Sequence, residues 1–252
     1  MPATPPWYVI SLRPRGDHAA LRRAATRHGG GVIALSPWRL QRCDDAATRG
    51  ALRLALAAPR VVFTSPAAVR AARALQAFAP RREQVWCAVG AGTAAALRRA
   101  GVHDVHAPTR MDSEGLLALP VLQDVAGRDV GLVTAPGGRG EITPALLARG
   151  ARVLRADVYL REPVPLLAQA LRRLRDADAP LVLALSSGEA LQHVLAALPP
   201  ELATKLRGVQ VVAASERLRA LAIGHGFKEI VVAAGPRPAD LLAAAARRLP
   251  VG

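Results

Sequence analysis

Lysine is almost missing from this 252-residue chain: Lys205 and Lys228 are the only two, and the other 32 of its 34 basic side chains are arginine. Cysteine is as scarce. Cys43 and Cys87 stand alone, too few for a disulfide framework or a thiolate metal site. Aromatic residues are 3% of the chain, which leaves few platforms for stacking the bases of single-stranded nucleic acid. No run reaches the roughly 20 consecutive apolar residues of a membrane-spanning helix. The segment Met1 to Val9 has no basic start before a long apolar stretch, so no secretion signal is read. These absences predict a soluble, cytoplasmic protein. Chemical signatures are missing too. Of the six histidines, His103 and His106 are the closest pair, and no carboxylate or cysteine cluster joins them, so no metal is expected. There is no Walker Gly-Lys-Ser/Thr, serine elbow, catalytic Cys–His signature or kinase set.

Apolar residues, at 51%, are numerous enough to fill a core. The net charge is +15. An Ala- and Arg-rich composition is what a GC-rich genome produces, and that alone accounts for much of the imbalance. The functional alternative is attraction to a polyanion, either nucleic acid or a small poly-carboxylate. The arginines are scattered along helical surfaces (Arg22, Arg23, Arg98, Arg99, Arg172, Arg173) rather than massed in one tail. That distribution favours a small acidic substrate over nucleic acid.

Short apolar runs alternate with Ala/Leu/Arg segments of helical period. Strands are predicted over Trp7–Leu12, Val32–Leu35, Val61–Thr64, Val85–Val89, Val130–Thr134, Leu181–Ser186, Val209–Ala213 and Ile230–Ala233. Fully apolar strands punctuated by amphipathic helices imply parallel sheets covered on both faces. Gly101, Gly150 and Gly226 sit where C-terminal helix caps belong. A weak repeat relates the stretches beginning at Val61 and Leu181: each has a strand ending in two hydroxyl residues, a helix, then a second strand–turn–helix. The fold class expected is α/β, with two similar doubly wound parallel-sheet domains joined by a two-stranded linker and the central domain inserted into the first. Residues 1–35 with 164–252 form the discontinuous domain, 40–156 the inserted one, and 36–39 and 157–163 the linker strands.

Open α/β sheets bind ligands beyond the carboxyl ends of their strands, where helix N-termini offer N–H groups and partial positive charge. Thr64 and Ser65 fall at one such turn, Ser186 and Ser187 at another, Gly92 and Thr93 at a third, and Ser215 at a fourth. Taken singly, each is as readily an ordinary N-cap. The run Gly90-Ala91-Gly92-Thr93-Ala94-Ala95 fits a dinucleotide fingerprint, but the strand after it, near Val102–Ala107, ends in Pro108 rather than an acidic residue, so a nucleotide is not expected. Gly137 and Gly138 with Arg139 make a turn that lets backbone approach a ligand. Tyr159 is one of two tyrosines. It either packs at a hinge or donates a proton from a cleft.

Eight segments in order carry a resemblance to the uroporphyrinogen-III synthase family over essentially the whole chain: Arg13-Pro14, FTSPAAV from Phe63, AVGAGTAAAL from Ala88, SEGLLALP from Ser113, GGRGEI from Gly137 with LLARGARV from Leu146, VYLR from Val158, SSGEAL from Ser186 and SERL from Ser215. The resemblance implies that hydroxymethylbilane, a linear tetrapyrrole with eight carboxylates, binds between two α/β domains. It loses water from its hydroxymethyl carbon, and the resulting azafulvene cation is attacked by the substituted carbon of ring D. A spiro intermediate then rearranges and inverts that ring. No metal or organic cofactor takes part. The tyrosine matching Tyr159 is implied to assist departure of hydroxide. Arg13, Thr64, Ser65, Gly92, Thr93, Gly138, Arg139, Ser186, Ser187 and Ser215 are the substrate-binding candidates, and a monomer without membrane or nucleic-acid partner is expected. Three positions depart from the family pattern: Ala67 after Ser65-Pro66, Arg217, and Ala135-Pro136 before the glycine pair. A non-catalytic module binding a polyanion or nucleic acid is the competing reading. It would not need Tyr159 or the hydroxyl-bearing turns.

Overall fold

The computed structural model describes residues 5–137 and 140–246. The chain divides into two compact units, one made of Met1–Arg39 with Glu162–Gly252 and the other of Leu40–Arg161. The first unit contains β1 (Tyr8–Ser11), α1 (Ala19–Thr26) and β2 (Gly31–Ala34). The chain then runs through β3 (Trp38–Arg42) into the second unit, with α2 (Ala46–Ala57), β4 (Arg60–Phe63), α3 (Pro66–Leu75), β5 (Val85–Ala88), α4 (Ala91–Arg99), α5 (Ser113–Leu117), β6 (Asp129–Thr134), α6 (Ile142–Ala148) and β7 (Arg152–Asp157). It returns through β8 (Tyr159–Pro163) to α7 (Ala168–Arg175), β9 (Leu181–Leu185), α8 (Gly188–Ala197), α9 (Pro200–Arg207), β10 (Gln210–Ala213), α10 (Glu216–Gly224), β11 (Ile230–Val232) and α11 (Pro238–Ala246).

The first unit holds a five-stranded sheet in the order β11-β10-β9-β1-β2, and the second a four-stranded sheet in the order β5-β4-β6-β7. Every pairing in both sheets is parallel. The N-terminal strand β1 lies beside β9, with Val9 opposite Val182, so the opening βα unit belongs with the C-terminal part of the chain, as expected from the sequence. The strands β3 and β8 form a two-stranded ribbon of their own, within which the chain passes from one unit to the other.

The apolar strands serve both faces of each sheet because successive side chains point opposite ways. In the second unit Val61, Phe63, Trp86, Ala88 and Val133 pack into one cluster with Leu52, Leu97 and Tyr159. Their neighbours Val62, Cys87, Val130 and Leu132 pack into another with Leu116, Leu122 and Leu146. Phe63 stacks on Trp86 at 5.8 Å between ring centroids, and Phe78 closes on both at 5.5 Å. Full burial of a side chain such as Phe63 contributes about 1.5–3 kcal/mol. In the first unit Trp7, Val9, Leu21, Val32, Val182, Val212, Leu241 and Leu242 form the core on one side of the sheet.

Helix starts and stops follow from local chemistry. Asp45, Ser65, Asp112, Ser187 and Ser215 each accept a backbone N–H three residues on, at the starts of α2, α3, α5, α8 and α10. Gly101, Gly150 and Gly226 carry φ of 94°, 76° and 87° after α4, α6 and α10, the left-handed conformation their cap positions require. No helix among the described residues is long and apolar enough to cross a membrane.

Three parts of the chain read differently in the structure than in the sequence. Arg152–Asp157, which is not among the predicted strands, is β7, an edge strand of the second sheet. Ala46–Ala57 and Pro200–Arg207, not singled out as helices, are α2 and α9.

Candidate active site

In the second unit the carboxyl ends of β4 and β6, which are neighbours, bring Thr64 and Thr134 together with their hydroxyl oxygens 2.7 Å apart. Ser65 follows as the N-cap of α3. Its Oγ accepts the Ala68 N–H at 3.0 Å and lies 3.1 Å from the Tyr159 hydroxyl oxygen. Tyr159 begins β8 with its ring in the core, leaving the residue 5% exposed. Arg155 on β7 and Tyr159 and Arg161 on β8 all reach one cavity, while Ala156 and Val158 are fully buried in the same core cluster as the Tyr159 ring.

These groups surround a cavity of about 170 Å³, lined among others by Thr64, Ser65, Thr134, Arg155, Tyr159 and Arg161. Gly137 and Gly140 also line it. Arg155 is a clamp. Its guanidinium pairs with both carboxylate oxygens of Asp157 at 2.9–3.1 Å and donates to the Ala135 carbonyl at 3.3 Å. A β-carbon built on Gly137 would lie 3.7 Å from Arg161 Nη1, so the backbone at Gly137 passes close to that side chain.

Of the residues proposed from sequence, Thr64, Ser65 and Tyr159 come together here. Thr134, Arg155 and Arg161 were not among them. Thr134 ends its strand as Thr64 does, and the spacing of Arg155, Tyr159 and Arg161 is a strand period; those were the available signals. Thr93 is 1% exposed, in the first turn of α4, and is not among the residues lining this cavity. Gly92 is exposed beside it and also lies outside that lining. Gly138 and Arg139 lie outside the described residues.

The remaining candidates belong to the first unit, also at strand carboxyl ends. Ser186 and Ser187 follow β9, and Ser187 caps α8 by accepting the Ala190 N–H at 3.3 Å. Ser215 follows β10 and caps α10 through the Leu218 N–H at 3.4 Å. Arg13, just past β1, pairs with Asp17 at 3.1 Å. Beside it the His18 ring is held between two hydroxyls, Nδ1 at 2.9 Å from Ser11 Oγ and Nε2 at 2.8 Å from Ser36 Oγ. Burial first, then the charge of Arg22 and to a smaller extent that of Arg13, holds the imidazole pKa below its ordinary value, against a smaller opposing pull from Asp17. Among the described residues no group of three or more His, Cys, Asp or Glu side chains is placed to hold a metal ion.

A family model described as "Uroporphyrinogen-III synthase HemD" matches residues 19–243. The chain belongs to the uroporphyrinogen-III synthase family. It is 34% identical over 149 residues to the uroporphyrinogen-III synthase of Escherichia coli K12, a span covering 58% of this chain and 60% of that protein. The enzyme of the same name from Salmonella typhimurium LT2 is 34% identical over 150 residues, with the same coverage. The chain thus spans 60% of the length of these curated relatives in the match. Among solved structures, a mutant uroporphyrinogen III synthase from the extremely thermophilic bacterium Thermus thermophilus shares the fold with a TM-score of 0.62, 21% identity and coverage of 95% of this chain and 97% of that one. Uroporphyrinogen-III synthetase from Helicobacter pylori 26695 shares it with a TM-score of 0.60 at 12% identity, covering 95% and 97%.

Proposed function

We propose that this chain is a uroporphyrinogen-III synthase: it cyclises hydroxymethylbilane by dehydration and inverts ring D, using no metal or organic cofactor. Within a chain of this family, the observation that carries the proposal is the hydroxyl pair Ser65–Tyr159 in the lining of a strand-end cavity.

The arrangement suits a reaction whose difficulty is charge and geometry rather than strong acid or base. The pyrrole nitrogen pushes the hydroxyl group off the adjacent carbon, Tyr159 supplies the proton that lets it leave as water, and positive charge remains on that ring. The proton released when the closed macrocycle regains its last pyrrole returns to the tyrosinate, so the net change is loss of one water. Ser65 Oγ already accepts the Ala68 N–H at the start of α3, so its own O–H is free to donate to the Tyr159 oxygen. The chain of donors from helix N-terminus to Ser65 to Tyr159 polarises the phenol proton outward and stabilises the charge left behind. A positioned proton donor is worth about 10²–10⁴-fold. Holding the flexible bilane in one fold supplies the rest.

Thr64, Ser65, Arg13, Gly92, Gly138, Arg139, Ser186, Ser187 and Ser215 would take the carboxylates, through side chains and backbone N–H groups. The protein so read works as a cytoplasmic monomer on a small-molecule poly-carboxylate. Incubation with enzymatically generated hydroxymethylbilane, with no added metal or nucleotide, should yield the type III isomer. Wholly type I product in the presence of folded protein would refute the assignment.

A further inference from the structure

Tyr159 is not the only group that β7 and β8 offer the cavity. Arg155 and Arg161 line it as well, one four residues before the tyrosine and the other two residues after it. Both also have partners within the protein. The Arg155 guanidinium is engaged by Asp157 and the Ala135 carbonyl, so its charge is largely compensated and its work is to fix the backbone at Ala135. Arg161 follows the tyrosine, and the backbone at Gly137 passes close to it. A guanidinium has five N–H donors in a planar fork, so a partner within the protein leaves donors for a ligand carboxylate.

Size and spacing add a second argument. A cavity of about 170 Å³ is well below the roughly 300–1,000 Å³ of pockets that enclose whole drug-sized ligands. It holds one end of a linear tetrapyrrole and not the whole of it. Tyr159 and Arg161 are two residues apart on an extended strand, hence about 6.5–7 Å apart along it. One pyrrole ring bearing both a hydroxymethyl group and short acid side chains bridges a comparable distance.

Resting on the functional reading above, we infer that Arg161 binds a carboxylate of the terminal ring that carries the hydroxymethyl group, and so seats the departing oxygen at Tyr159. Arg161 is then a specificity-determining residue. The enzyme recognises an acidic side chain on the ring that ionises, and a terminal ring without one enters the cavity unanchored.

The test is a cycle of two enzymes on two substrates. The substrates are hydroxymethylbilane and an analogue whose hydroxymethyl-bearing ring has methyl groups in place of its acid chains. With hydroxymethylbilane, Arg161→Gln should lower kcat/KM about 10–100-fold, the worth of one charge-assisted hydrogen bond, and Arg161→Lys should recover part of the loss. With the analogue, Arg161→Gln should change kcat/KM by less than about threefold, because the partner is already gone. Equal losses on both substrates, or no loss on either, would overturn the proposal. If Arg161→Gln does not fold, Arg161→Lys carries the same comparison, with a loss confined to the native substrate expected. Wild-type protein making only type I isomer would instead defeat the functional reading, and the inference with it.

Discussion

Ser65 and Tyr159 are 94 residues apart in sequence, and their hydroxyl oxygens are 3.1 Å apart. Each is held by something other than this contact. Ser65 is fixed by capping α3, and the Tyr159 ring is fixed in the core cluster that contains Phe63 and Val133. The reactive end of the tyrosine is therefore separable from its structural end, which lets substitution distinguish chemistry from packing.

Tyr159→Phe keeps the ring and removes only the donor. Turnover of hydroxymethylbilane should fall about 10²-fold, the low end for a proton donor, because water can substitute in part. The loss should appear in kcat more than in KM, since the donor matters most as the C–O bond breaks. Unchanged turnover would leave Tyr159 as a packing residue.

Ser65→Ala removes two interactions at once. Losing the cap should cost about 1 kcal/mol of stability in urea unfolding. Losing the hydrogen bond to Tyr159 should lower turnover, and this part should vanish when Tyr159 is already Phe. If the two turnover losses instead multiply in the double variant, Ser65 does not act through the tyrosine.

The central strands were legible because β1, β4, β6, β9 and β10 are nearly unbroken apolar runs, which only a sheet buried on both faces accommodates. Thr64 and Ser65 were legible for a related reason: a hydroxyl pair ending such a run lies at the carboxyl edge, where α/β sites form. The less visible elements are those whose local signals point elsewhere. The edge strand β7 carries Arg152 and Arg155 among its apolar residues and looks like a polar crossing. Gly50 lies inside α2, where glycine is disfavoured, and α9 opens with Pro199-Pro200, which suggests a break although proline suits a first helical turn. The burial of Thr93 had no local signal, because a Gly-x-Gly-Thr turn does not reveal how deeply its side chain lies. Arg161 had no local signal apart from its spacing from Tyr159. Its place depends on β8 running beside a cavity built from β4 and β6.

Gly131 marks a close approach of α2 to the sheet. A β-carbon there would collide with the carbonyl oxygen of Ala55 in α2, and backbone is not free to step aside as a flexible side chain would. Gly131→Ala should therefore destabilise by an amount near the top of the about 1–3 kcal/mol range for overpacking. A urea midpoint equal to that of wild type would show that α2 shifts without cost.

The two cysteines should differ in reactivity. Cys87 is fully buried on β5, and burial pushes its thiol pKa up to about 12. Cys43 is half-buried, with its pKa raised by burial and then by Asp45 and Asp157. At pH 8 a thiol reagent should label Cys43 slowly, and Cys87 only as fast as the protein opens. Both should react at once in denaturant. Rapid labelling of Cys87 in native protein would contradict its placement between sheet and helices.

His18 couples stability to pH. At 6% exposure it bridges Ser11 and Ser36, and a neutral ring donates from one nitrogen and accepts at the other. Its folded-state pKa lies below the ordinary value, chiefly through burial and then Arg22. As pH falls the unfolded chain therefore takes up the proton first. The neutral-ring contribution is fully present above the unfolded pKa of about 6.5 and is lost as pH falls through that value toward the folded one. Unfolding free energy from urea melts should thus decline between pH 7.5 and 5.5 in wild type. His18→Gln can still bridge the two hydroxyls but cannot titrate, so its decline should be smaller. The other histidines are common to both proteins and cancel in the comparison. Parallel declines would mean that His18 is protonated equally in both states. A smaller decline in the variant, accompanied by unchanged KM at pH 7.5, would place the effect in the scaffold that carries Arg13 rather than in substrate contact.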